Sequence, residues 1–156
     1  VPSIALSPDS AAQGASIGTF VRMDDLPPEP GSRRRPDPRH SLGAHGEDAA
    51  ARYLTSIGYR VLGRNVRAGD AEADIVALAP DGSMAVVEVK ARSGPWHPEA
   101  RIDAVKRGRM VRAARALSAT DAFRDRMFQF DVVAVSVLPG GAVDVVHWPR
   151  AFDSPE

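Results

Sequence analysis

The chain has 156 residues, 44% of them apolar, with 20 basic and 20 acidic side chains and no cysteine. That length supports one domain with a substantial core, and zero net charge argues against a generic polybasic nucleic-acid binder while leaving room for a local positive patch. Disulfides, thiolate metal sites and thiol nucleophiles are excluded, as in many cytoplasmic proteins; no apolar run approaches the roughly 20 residues that span a bilayer, and no export signal is expected.

Residues 1–40 carry Pro2, Pro8, Pro27, Pro28, Pro30, Pro36 and Pro38 with Gly and Ser and no apolar periodicity. This composition predicts a disordered N-terminal extension. Its basic run Arg33-Arg34-Arg35, set among prolines beside Asp37, reads as a solvated linker. The chain opens on Val1, which fits a fragment or an alternative start codon translated literally.

Residues 41–153 read as one folded domain. Leu42, Gly46, Ala49, Ala50, Tyr53 and Ile57 fall on one side of a helix, with Ser41 as its N-cap and Gly58 as its stop. Glu47 stands at the margin of that stripe, where it either looks toward the sheet or answers the helix dipole. Strands are expected at Tyr59–Val66, Ala73–Ala79 and Met84–Ala91, the last two joined by the turn Pro80-Asp81-Gly82-Ser83. Charges inside these two apolar strands are the most informative feature of the chain. Glu88 and Lys90 project to one side of their strand and Val87 and Val89 to the other. An antiparallel return brings Asp74 near Glu88, and two carboxylates held close repel unless a proton or a cation neutralises them. The pair suits a hard divalent ion.

After a Gly-Pro-Trp-His loop, Ile102, Met110, Ala113 and Leu117 share one face of a helix expected over Glu99–Ala119. Lys106 falls within this stripe, so it must snorkel or find an acidic or phosphate partner. Arg101, Arg107, Arg112 and Arg115 occupy the outer surface, which is either simply solvated or follows a phosphate backbone. Strands at Phe128–Leu138 and Ala142–Trp148 complete the order α, β, β, β, α, β, β, a mixed α/β class. The second helix is long enough to let its flanking strands lie parallel. Asp131 in the fourth of these strands reads as structural, holding an Arg or a backbone amide. The four histidines lack the paired spacing of a zinc site, and neither a nucleophile elbow nor a phosphate-binding glycine loop is present. Trp148 reads as packing and Trp96 as either packing or a base-stacking surface.

Leu42-Gly43, Gly46-Glu47, Ala50, Tyr53-Leu54, Gly58-Tyr59-Arg60-Val61-Leu62, Arg64-Asn65, Glu72-x-Asp74, Glu88-Val89-Lys90-x-Arg92, Lys106 and Phe130-Asp131-Val132-Val133 together resemble the YraN-like family of endonuclease-like proteins. The likeness runs from about Ser41 to Phe152. That family is similar to the restriction-endonuclease-like nucleases with a PD-(D/E)xK signature and is related to archaeal Holliday-junction resolvases, with an αβββαβ core in which helices flank a central mixed sheet. The resemblance implies hydrolysis of DNA phosphodiesters, branched or junction DNA included, assisted by Mg²⁺ or Mn²⁺. Asp74, Glu88 and the Val89 carbonyl would hold the ion in an oxygen shell completed by water, with Glu47 and Glu72 as further candidates. Lys90 would orient the attacking water or stabilise phosphate charge, and Arg64, Arg92, Lys106 and Arg109 would approach the nucleic acid. Two positions depart from the pattern: Ala71 where a glycine is usual, and Gln129 where an arginine often precedes the Phe-Asp pair.

The reading is therefore a single-domain, metal-dependent, cytoplasmic endonuclease without a membrane partner. Resolvase-type cutting of two strands requires a homodimer. The competing readings are a DNA-binding accessory protein that kept the fold without turnover, and a nuclease directed at RNA.

Overall fold

The structure is a computed structural model that describes residues 42–94 and 102–154, together with the main chain of 19–22. Its elements are β1 (Thr19–Arg22), α1 (Leu42–Ser56), β2 (Arg60–Ala68), β3 (Ala71–Leu78), β4 (Met84–Ser93), α2 (Ala104–Ser118), β5 (Phe128–Val137) and β6 (Val143–Phe152). The strands form one sheet in the order β1-β6-β5-β4-β3-β2. Among the described strands only β4 and β5 run parallel, and α2 lies in the crossover between them. From α1 to β5 this is the expected αβββαβ core of a mixed α/β fold.

Alternation along the strands divides the core into two layers. Val87, Val133 and Val135 pack with Ala50, Tyr53 and Leu54 of α1. Their neighbours Val86 and Val132 pack with Met110, Ala113 and Leu117 of α2. Burial on both faces explains why β4 and β5 read as nearly continuous apolar runs.

Local chemistry sets the element ends. Gly58 takes a φ of 95°, the left-handed conformation that ends many helices, and Tyr59 N–H closes on the Leu54 carbonyl at 3.0 Å. In the β3–β4 turn, the Asp81 carboxylate accepts from Ser83 N–H at 2.9 Å. Asp103 caps α2, its carboxylate accepting from Lys106 N–H at 2.8 Å. The helix therefore begins at Ala104, later than the expected Glu99. Ile102, counted as helical in sequence, precedes the cap and is buried nonetheless.

Two further expectations need correction or fall outside the described residues. Within the segment expected to be disordered, Thr19–Arg22 forms a strand paired antiparallel with β6, in register Thr19↔His147 through Arg22↔Asp144. The β-prone run Thr-Phe-Val suits it, but its partner lies more than a hundred residues away, beyond the reach of a local reading. The Ser41 cap, the arginine run 33–35, Arg101 and the Trp96 loop lie outside the described residues.

Gly46 brings α1 down onto the sheet. A β-carbon added there would stand 2.4 Å from the Ala91 methyl, which has no flexibility with which to yield. Gly46→Ala should therefore destabilise the protein by about 1–3 kcal/mol through overpacking, although alanine is normally the better helix former. Adding Ala91→Gly should recover part of the loss, less the roughly 1 kcal/mol cost of a strand glycine. Urea denaturation measures both; a single Gly46→Ala variant as stable as wild type contradicts the close-approach account.

Candidate functional site

Pairing of β3 with β4 runs from Leu78↔Met84 to Ile75↔Val87 and goes no further, although β4 continues against β5 as far as Ser93. The next residues along the two strands are Asp74 and Glu88. Beyond the last pair, Val89 N–H donates to Asp74 Oδ2 at 2.8 Å. A side-chain carboxylate thus takes over the edge of β4 that β3 relinquishes.

β3 also turns over at this point. Ala71 and Ala73 pack into the α2-side core, whereas Ile75 and Ala77 pack into the α1-side core. Strict alternation would put all four on one face, so the strand rolls at Asp74. β2 rolls with it. Asn65, opposite Asp74 between the pairs Arg64↔Ile75 and Val66↔Ala73, has a φ of 48°, a conformation that asparagine tolerates better than most residues. The Asn65 amide donates to Glu47 Oε2 at 3.0 Å and so ties the roll to α1. Asp74 consequently sits between the layers, within electrostatic reach of Glu47 on one helix layer and of Glu88 and Arg109 on the other.

The two carboxylates have unlike surroundings. Glu88 is 3% exposed and held by two cations of α2: Lys106 Nζ at 2.8 Å from Oε1, and Arg109 at 3.2 Å from Oε2. Asp74 makes no ion pair among the described residues. Burial pushes its carboxyl up to about 6, with the charges of Glu88 and Glu47 adding to the rise while Val89 N–H and Arg109 oppose it.

Other site candidates divide by partner. Glu47 is held by Asn65 and lies 3.8 Å from Arg64, whose stronger contact is Asp48 at 2.6 Å. Arg64 is thereby engaged with α1. Glu72 pairs with Arg67 across the β2–β3 hairpin at 3.8 Å, and the roll separates it from Asp74. Lys90 follows Glu88 by two residues along β4, partly exposed, with Asp103 nearby in charge. Arg92 Nε is buried and finds no acceptor among the described residues. Along α2, Arg112 faces Asp70 at 3.6 Å, while Arg107 and Arg115 flank an open groove beside Phe152.

Sequence reasoning gave Asn65 no role, though an asparagine inside a β-run was its visible signal. It also passed over how rarely lysine is used. The chain has only two lysines, Lys90 and Lys106, beside 18 arginines. One neighbours Glu88 along its own strand and the other bonds to it.

Asp131 stands apart from this edge. Fully buried, it accepts from Tyr59 Oη, Gln129 Nε2 and Arg150 N–H and meets His147 Nε2, all between 2.9 and 3.0 Å. It pins the register shift between β5 and β6. Burial, with the Asp131 charge adding, pushes the Tyr59 hydroxyl above its ordinary range and keeps it a donor. Gln129 completes this saturated network, so its substitution for arginine is met inside the core. Trp148 packs against the α2-side core.

The donor set at the β3–β4 edge is hard oxygen. Among the described residues no three His, Asp or Glu side chains form a ready cage for an ion, but Mg²⁺ binds through one or two carboxylates and retains water. Asp74, which makes no ion pair among the described residues and feels the charges of Glu88 and Glu47, and Glu88 itself fit that requirement. No helix among the described residues is long and apolar enough to cross a membrane.

Residues 46–135 match the family model described as "Uncharacterised protein family UPF0102". A UPF0102 protein of Nitratidesulfovibrio vulgaris (strain DP4) is 42% identical over 123 residues, covering 77% of this chain and 90% of the relative. One from Myxococcus xanthus (strain DK1622) is 42% identical over 125 residues, 78% of this chain and 97% of its own length. One from Pelobacter propionicus is 36% identical over 129 residues, 80% and 90% respectively.

The raised Asp74 carboxyl has a stability consequence. An acid whose folded pKa exceeds its unfolded value stabilises the fold while protonated, fully below the unfolded value near 3.8, and that contribution is lost as pH rises through about 6. In chelator, Asp74→Asn should therefore melt close to wild type at pH 4 and above it at pH 7.5. Equal melting temperatures at both pH values contradict the burial-raised carboxyl.

Proposed function

We propose that this chain, which belongs to the UPF0102 (YraN) family, is a divalent-metal-dependent endonuclease that hydrolyses DNA phosphodiesters, branched DNA included, in the cytoplasm. The observation that carries the reading is the pair Asp74 and Glu88 at the edge where β3 leaves β4, beside the only two lysines of the chain. Acidic oxygens next to ammonium groups answer the two needs of phosphodiester hydrolysis: a cation site and stabilisation of phosphate charge.

Asp74 and Glu88, with the Val89 carbonyl, would hold Mg²⁺ or Mn²⁺, and Glu47 would hold a water or a second ion at the α1 side. Glu72, paired with Arg67, is left out of this set. The bound ion supplies a Lewis acid and lowers the pKa of water toward neutrality. Val89 N–H fixes one oxygen of Asp74, and the other would be available to the ion. Lys90 acts as a compact point charge that orients the attacking water or meets a phosphate oxygen. Arg92, whose buried Nε finds no acceptor among the described residues, and Arg109, 39% exposed at its side chain, are the arginines that would meet the phosphate backbone. A homodimer would place two such edges on a four-way junction.

Purified protein incubated with linear, nicked, flapped and four-way DNA in Mg²⁺ or Mn²⁺ should cut at least one substrate, and chelator should stop it. Asp74→Ala and Lys90→Ala should each lower the rate by on the order of 100-fold or more, the scale of losing one group from a charged transition-state site. Cleavage surviving both substitutions rejects the mechanism. Tight DNA binding without cleavage under either metal supports the accessory reading instead.

A further inference from the structure

We propose that Lys106 is the resident counter-ion of Glu88, displaced when a divalent cation takes that carboxylate and thereby released toward the phosphate. The inference rests on the metal-site reading above and adds a competitor already built into the fold.

Three observations converge on it. Glu88 is almost fully buried, and a buried carboxylate without a partner is strongly unfavourable; Lys106 Nζ at 2.8 Å from Oε1 provides one. Lys106 is seated by α2 itself, because Asp103 accepts from its backbone N–H and starts the helix there. Its side chain is 36% exposed, so solvent reaches it and the protein does not enclose it.

To these three the identity of the residue adds a fourth. With 18 arginines and two lysines in the chain, arginine is the ordinary cation of this protein and serves every exposed ion pair described above. A guanidinium grips a carboxylate with a rigid bidentate fork, whereas an ammonium is a compact point charge on a flexible stem. Lysine is the choice for a contact that must be given up. Arg109, which reaches the other oxygen of Glu88 at 3.2 Å, keeps the carboxylate from being left unpaired during the exchange.

The test is calorimetric titration of the full chain with Mn²⁺, in wild type, Lys106→Met and Lys106→Arg, each checked for folding by circular dichroism. Lys106→Met removes the competing charge and should tighten Mn²⁺ binding on the order of tenfold; Lys106→Arg should bind no more tightly than wild type. Lys106→Met binding equally or more weakly overturns the inference while leaving the metal site intact. No uptake of Mn²⁺ by any of the three, while all are folded, overturns the metal-site reading itself. Amine-reactive labelling of wild type, read by mass spectrometry at the only two lysines, gives a second measurement that needs no variant. Saturating Mn²⁺ should raise modification of Lys106 severalfold, and unchanged labelling in protein that binds Mn²⁺ overturns the exchange.

Discussion

A single 2.8 Å hydrogen bond, Val89 N–H to Asp74 Oδ2, closes the sheet where β3 stops pairing with β4. An exposed strand edge must satisfy its main-chain donors, and here a carboxylate does so. The local demand of the backbone thereby fixes an acid at a gap between two strands. Everything else at the site is arranged around that gap: the roll of β2 and β3 at Asn65 and Asp74, Glu88 carried on the far strand, and α1 and α2 approaching from opposite layers.

The two helices contribute in different ways. On α1, Gly46 permits a close approach to Ala91, and the next residue, Glu47, is thereby held at the sheet by Asn65. On α2, the cap at Asp103 sets the phase that carries Lys106 and Arg109 onto Glu88. Charge is distributed unevenly as a result. Glu88 has two cations, whereas Asp74 has a backbone donor and two neighbouring carboxylates. A divalent cation would relieve the repulsion at Asp74, and in the proposed exchange the flexible lysine is the partner Glu88 surrenders. The Asp131 network is the opposite kind of polar cluster: fully enclosed and saturated with partners, it joins β5 to β6 and ties both to Tyr59, just ahead of β2.

Much of this was legible in the sequence because its causes are local. Turn chemistry at Asp81-Gly82 and strand alternation predicted that Asp74 and Glu88 would come together, and the misfit of a lysine within an apolar helical stripe predicted a partner for Lys106. What escaped has non-local causes. β1 depends on a strand at the far end of the chain, the start of α2 on a cap that periodicity overran at Ile102, and the isolation of Glu72 on a roll centred at Asn65. The scarcity of lysine was in the sequence throughout, but it acquired meaning only when Lys106 was found paired with Glu88, two residues before Lys90 on β4.

The central claim is that the diverging edge of β3 and β4 is a cation site. Its most direct measurement is the anomalous diffraction of crystals grown with Mn²⁺. The account predicts a peak within coordination distance of both Asp74 and Glu88, about 2.0–2.3 Å from their oxygens for an ion of this size, and its loss in Asp74→Ala crystals. Mn²⁺ bound elsewhere, or absent from this edge at saturating concentration, contradicts it.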